Sequence, residues 1–332
     1  MYNGDLLIKG FIDLEVDSNI DMVAEINRMR KEKNAVLLAH YYQEGSIQDI
    51  ADFVGDSLAL SQEAAETKAD IIVFAGVHFM AETAKILSPD KKVLIPDLNA
   101  KCSLADSCPA DKFEQFKNRY PEHLVISYVN TSAEIKALTD IVCTSSNALE
   151  IVQSLPENQK IIFAPDKNLG NYIKSLTGRD MIIWDGSCHV HEEFSVERIL
   201  DIKKEHPYAR IIAHPECKKT VLLIADHIGS TSSLLKFTTE DKAMKYIVAT
   251  ESGIIHQMKK ASPDKLFIPA PPADTSCSCS DCNFMKLITI KKIYNSLKLE
   301  MPEVIVNEEI RKKAVHSIRR MLELSKHHPQ KK

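Results

Sequence analysis

Nine side chains that can bind anions or move protons recur in fixed register with three aspartates. Twelve residues before Asp52, Asp140 and Asp226 stand His40, Tyr128 and His214; ten before stand Tyr42, Asn130 and Glu216; five after stand Ser57, Ser145 and Thr231. Histidine titrates near neutrality, so His40 and His214 are candidates to donate hydrogen bonds or exchange protons. Glu216, two residues past His214, has the chemistry of a general base; the competing reading is a surface carboxylate paired with Lys218 or Lys219. Ser57, Ser145 and Thr231 each precede a helical pattern, where a hydroxyl, free N–H groups and the helix dipole suit phosphate or carboxylate. Taken one at a time each is a helix cap, but three in register favour a binding role. Val129 and Pro215, between the two slots, complete the substrate-binding candidates with Tyr128 and Asn130.

Cysteine supplies the second constellation. The chain has eight, and each repeat closes on one: Cys102, Cys188 and the cluster CSCSDC, whose last residue is Cys282. Without an export signal such thiols are expected to stay reduced, which favours metal ligation or catalysis over disulfides. A closed zinc site normally announces itself by paired CxxC or CxH elements, which Cys102 and Cys188 lack. A 4Fe-4S cluster normally takes four cysteines, and three would leave one iron open as a Lewis acid. Spacing alone leaves Cys277, Cys279 and Cys282 all eligible as the third ligand. Cys108, Cys143 and Cys217 lie off the repeat ends and read as small buried groups. His191, three residues after Cys188, is a candidate to face the same cavity, with a surface position as the alternative.

Something must bring these positions together. Each copy alternates runs such as AVLLAH, IIVFA and VLI with helical stretches, and unbroken apolar runs of that length predict strands buried on both faces of a parallel sheet. The anchors lie 88 and 86 residues apart, too far for a solenoid repeat. The expected fold class is therefore α/β: three similar three-layer αβα domains around a pseudo-threefold axis, with the site at its centre. Boundaries are expected at residues 1–106, 107–192, 193–285 and 286–332, the last segment helical. Ligands of open parallel sheets bind beyond the strands' carboxyl ends, where the His, Tyr, Asn and Glu slots fall. Asp21 to Lys33 predicts an amphipathic helix burying Met22, Val23, Ile26 and Met29, and Val304 to Lys326 predicts another with Ile310, Ala314, Ile318 and Leu322 on one stripe.

Composition narrows the class. A 44% hydrophobic content and a net charge of −4 suit a soluble enzyme and give no general attraction to nucleic acid. No signal peptide or membrane-length apolar run is read, so a cytoplasmic location without membrane contact is expected. The GDS, GSC and GST glycines do not form a dinucleotide fingerprint.

The segments LLAHYYQ, DFVGDSLALSQ, FAGVHFMAETAKIL, IPDLNAKCSLADSCP, SYVNTSAEIKA, CTSSNA, WDGSCHVHEEF, AHPEC, GSTSSLLKF and CSDCNFM resemble the quinolinate synthase A family of bacterial and archaeal NAD biosynthesis, from about residue 37 to 285. That resemblance implies condensation of iminoaspartate with dihydroxyacetone phosphate to quinolinate, with phosphate and water released, and a 4Fe-4S cluster on Cys102, Cys188 and Cys282. It implies active-site roles for His40, Tyr42, Tyr128, His214 and Glu216, and substrate contacts from Ser57, Ser145 and Thr231. For partners it implies functional coupling to an aspartate oxidase or dehydrogenase. Lys101 and Asn283 stand where the family usually has Gly and Pro beside the first and third ligands. Two rival classes share these features: an iron-sulfur hydro-lyase on the same scaffold, and a non-catalytic zinc or cluster sensor.

Overall fold

A computed structural model describes residues 8–274 and 280–326. Among these described residues twelve strands form three separate four-stranded sheets, all parallel and all in one order. The first contains β1 (Ala35–His40), β2 (Phe53–Gly55), β3 (Ile71–Ala75) and β4 (Lys92–Leu94), ordered β2-β1-β3-β4. The second, from β5 (Leu124–Tyr128), β6 (Ile141–Cys143), β7 (Ile161–Ala164) and β8 (Met181–Ile183), runs β6-β5-β7-β8. The third, from β9 (Arg210–Ala213), β10 (His227–Ile228), β11 (Lys245–Ala249) and β12 (Leu266–Pro269), runs β10-β9-β11-β12. Helices flank each sheet, so the chain is α/β with three similar αβα units.

Burial on both faces explains the unbroken apolar runs. In the third sheet, Ile211, Ala213, Ile247 and Ala249 join one apolar cluster, while Ile212, Tyr246 and Val248 join another on the opposite face. Alternate side chains leave a strand in opposite directions, and here both directions are dry.

The three anchoring aspartates turn out to be hooks. Asp52, Asp140 and Asp226 each accept a hydrogen bond from the backbone N–H of Leu37, Val125 and Ile211, at 2.8 Å in every copy. Each aspartate also donates its own N–H to the carbonyl of that same residue. The pair of bonds fixes where the second strand of each sheet starts relative to the first. Register at the start sets register at the end, which is where the chemistry lies.

Two helical expectations need correction. The helix Met22–Glu32, capped by Asp21, buries Ile26 and Met29, but Val23 is 38% exposed. Its position turns it away from the stripe that packs on the first sheet. The last helix is Glu308–Lys326, not Val304 onward. Val304 donates instead to Val93 O at 2.8 Å, and Glu303 bridges to Leu94, so this stretch extends the edge of β4. Ala314 and Ile318 are fully buried in the core shared by the first two units.

Candidate active site

Strand ends from all three units open onto one cavity, about 610 Å³ with its mouth included. Its walls carry His40, Tyr42 and Ser57 from the first unit and Tyr128, Asn130 and Ser145 from the second. The third supplies His214, Glu216 and Thr231, and Cys102, Cys188, Cys282 and His191 complete the set. Val129 and Pro215 are buried but do not line it; Val129 instead donates to Cys143 O at 2.8 Å.

The hydroxyl slots are spared from capping. Asp56 caps the helix Ser57–Glu66 through Ala59 N at 3.0 Å, and Ser230 caps Thr231–Glu240 through Ser233 N. Ser57 and Thr231 are thus first helical residues whose own hydroxyls are left for other partners. Ser145 lies two residues before Asn147, the residue at the start of Ala148–Ser154.

Asp56 also joins the three units. Its Oδ2 accepts from Ser146 Oγ at 2.8 Å and Ser232 Oγ at 2.6 Å, the residues next to Ser145 and Thr231. One carboxylate from the first unit thereby gathers the hydroxyl-bearing loops of the other two.

Glu216 is no surface residue. It is 3% exposed, and its partners are Tyr128 Oη, donating to Oε1 at 2.6 Å, and the His191 ring, 3.3 Å from Oε2. Burial by itself would raise its pKa, but the adjacent His191 ring, with the Tyr128 hydrogen bond adding, outweighs burial and holds the carboxyl below the usual carboxylate range. Burial, and the Glu216 charge next, push the Tyr128 phenol well above its ordinary value.

The two histidines share one geometry. The Tyr42 N–H donates to His40 Nδ1 at 3.2 Å, and the Glu216 N–H donates to His214 Nδ1 at 3.3 Å. With Nδ1 accepting, the proton sits on Nε2, and His214 Nε2 meets Ser145 Oγ at 3.1 Å. Burial lowers His40 to about 4 and His214 to about 3. Burial and the accepting Nδ1 together favour the neutral Nε2–H form of both rings. Asn130 Oδ1 is buried at the wall without a hydrogen-bond partner. No Arg or Lys is among the cavity-lining residues described, so an anion here meets neutral donors and helix N-termini.

Three thiols, one per unit, share the wall. Burial raises Cys102 to about 12, with the Cys282 charge adding; Cys188 is pushed up by burial, Glu216 and the other two thiols. Such thiols ionise only with a cation to compensate them, which suits soft metal or iron-sulfur ligation. Among the described residues no fourth cysteine lines the cavity. Cys188, His191 and Glu216 also place ligand atoms within 4.8 Å of one another. Cys108, Cys143 and Cys217 are buried away from the cavity, and Cys277 and Cys279 lie outside the described residues.

Sequence reasoning did not single out Asp56, Ser146 or Glu251. Glu251 is 1% exposed; its Oε1 accepts from Cys282 N and Lys286 Nζ, both at 3.1 Å, and its Oε2 from Gly253 N at 2.7 Å. The available signal was its position at the end of the apolar run YIVATE, beyond a strand's carboxyl end.

Fold and site together define a three-unit α/β enzyme frame with a central cavity lined by thiols, imidazoles and a buried carboxylate. A family model described as Quinolinate synthetase A protein matches residues 24–323. The chain is also 58% identical over 306 residues to the quinolinate synthase of Thermosynechococcus vestitus, spanning 92% of this chain and 96% of that one. It is 58% identical over 305 residues to that of Microcystis aeruginosa (92% and 95%), and over 306 residues to that of a Nostoc species (92% and 94%). The chain belongs to the quinolinate synthetase A family, an enzyme family of NAD biosynthesis. Among the described residues no helix is long and apolar enough to cross a membrane.

Proposed function

We propose that this chain condenses iminoaspartate with dihydroxyacetone phosphate, releasing phosphate and two waters as the pyridine ring of quinolinate closes. The observation that carries the reading is the meeting of Glu216 and Tyr128, from different repeats, in a cavity where each repeat also supplies one thiol. Cys102, Cys188 and Cys282 form a donor set that fits a 4Fe-4S cluster, which when bound supplies a Lewis acid at its open iron.

The protein's own groups divide the remaining work. Glu216, ionised and screened from water, takes protons from carbon during condensation and tautomerisation, while the Tyr128 hydroxyl holds its Oε1 in place. His40 and His214 present Nε2–H to substrate carboxylates or phosphate. Ser57, Ser145, Thr231 and Asn130 hold the same anions with neutral groups. Tyr42, whose hydroxyl meets Thr231 Oγ1 at 3.1 Å and Thr250 Oγ1 at 2.8 Å, ties first-unit and third-unit walls together around the substrate. His191, 3.2 Å from Cys188 Sγ and 3.0 Å from Thr250 Oγ1, orients Glu216 from the opposite side. An aspartate oxidase or dehydrogenase is the matching source of iminoaspartate.

The test is anaerobic. Protein reconstituted with iron and sulfide is assayed for iron, acid-labile sulfide and quinolinate formed from the two substrates. Four irons with matching sulfide and product formation support the reading. A loaded cluster without product ends the assigned reaction; one zinc without sulfide instead assigns Cys188, His191 and Glu216 to a single metal ion.

A further inference from the structure

Two residues past the end of the third strand in each unit stands an equivalent position: Val77 three residues past Phe74, Asp166 three past Phe163, and Glu251 three past Val248. In the second and third units that position is a buried carboxyl, Asp166 at 0% and Glu251 at 1% exposure. Each lies beside the loop that carries its own unit's cavity-lining cysteine. Glu251 Oε1 accepts from Cys282 N at 3.1 Å. Asp166 Oδ1 caps the following helix through Leu169 N at 2.7 Å, its Oδ2 is buried without a hydrogen-bond partner, and its backbone bridges to Gly186, two residues before Cys188. The peptide beyond is held too, with Lys167 N donating to Gly186 O at 2.8 Å.

The third unit adds a cation. Lys286 Nζ lies 3.1 Å from Glu251 Oε1 and donates to Tyr42 O at 3.0 Å. Through Lys286, the loop carrying Cys282 is fastened to the first-unit strand end that carries Tyr42. Gly253, held by Glu251 Oε2, packs so closely on that strand end that an added Cβ would fall 2.8 Å from Tyr42 Cα. The first unit has no counterpart, because Val77 offers no acceptor.

We infer that Asp166 and Glu251 are a duplicated pair of positioning residues, each presenting the cysteine of its own unit to the central cavity, with Lys286 coupling the Cys282 side to Tyr42. Buried groups that orient ligands from behind commonly change metal retention about 10- to 100-fold when lost. The inference deepens the proposed site, and its first test needs neither cluster nor turnover.

In metal-free full-length chain, alkylation of each cysteine by iodoacetamide is followed by peptide mass spectrometry. Glu251→Ala should speed Cys282 alkylation severalfold and leave Cys102 and Cys188 unchanged; Asp166→Ala should speed Cys188 alone. Glu251→Gln and Asp166→Asn, which keep an acceptor oxygen, should stay near wild type and guard against simple unfolding. Val77→Ala should leave Cys102 unchanged. All three cysteines accelerating together, or each variant's own cysteine staying at the wild-type rate, would overturn the assignment. In reconstituted protein, iron release to a chelator should be roughly tenfold faster in the two alanine variants and near normal in the amide variants. Failure of wild type to load iron would sink the proposed function while leaving the alkylation result to decide this inference.

Discussion

Tyr128 and Glu216 lie 88 residues apart in sequence and 2.6 Å apart in space, each at the first-strand end of a different unit. The phenol donates, the carboxylate accepts, and neither has solvent to fall back on. The base proposed above takes its orientation from another repeat, so the proposal makes activity depend on the units being assembled.

Glu216→Gln is therefore expected to retain iron and sulfide but lose turnover by 10²-fold or more, the usual worth of a positioned general base. Tyr128→Phe should fall less far, because the carboxylate survives without its orienting partner. Quinolinate formation under anaerobic conditions, normalised to iron content, checks both. Normal turnover in Glu216→Gln ends its role as base.

Cysteine replacements should sort into two groups. Cys102→Ser, Cys188→Ser and Cys282→Ser are each expected to abolish cluster loading. Cys108→Ser and Cys143→Ser, buried away from the cavity, and Cys277→Ser should keep most of it. Absorption spectra with iron analysis read the outcome; loading that survives in Cys282→Ser but not Cys277→Ser would move the third ligand upstream.

Asp56→Ala should destabilise the fold by about 2–3 kcal/mol. The loss combines a helix cap, worth about 1 kcal/mol, with the half-buried Ser146 and Ser232 hydroxyls losing their shared acceptor, about 1–2 kcal/mol. Asp56→Asn keeps one acceptor and should lie between. Denaturant melts measure the difference, and an Asp56→Ala chain as stable as wild type would rule out the clasp.

Acid should weaken the protein through its buried imidazoles. Unfolded, His40 and His214 take up protons as pH falls through about 6.5; folded, burial delays this to about 4 and about 3. The unfolded state thus binds more protons in that interval. Their contribution is complete above about pH 6.5 and is lost as pH falls toward 4, on the order of 3 kcal/mol for His40. Urea midpoints at pH 7 and pH 5 should separate less in His40→Gln than in wild type; equal separations would count against the assignment.

Much of this was legible because the repeats preserve local rules. The hooks at Asp52, Asp140 and Asp226 bond to backbone fifteen residues away, so the spacing survives in sequence and reveals the strand ends. Asp56 was not legible, since its partners lie 90 and 176 residues distant. Glu251 was hidden for the same reason, its role depending on Cys282, 31 residues on. Val304 was misread as helix because a bond to β4, not local propensity, keeps it extended. The neutrality of His40 and His214 needed burial, which spacing does not report.

The hooks also separate what must stay fixed from what is free to change. Because Asp52, Asp140 and Asp226 each anchor backbone to backbone, the positions beside the cavity can differ among copies without moving the strand that carries them. Mutational tolerance should accordingly split in two. Exchanging residues between copies at the cavity slots should alter chemistry with little loss of fold, whereas replacing a hook in any one copy should disturb the whole edge of its sheet. A triplicated ancestor could specialise one wall at a time.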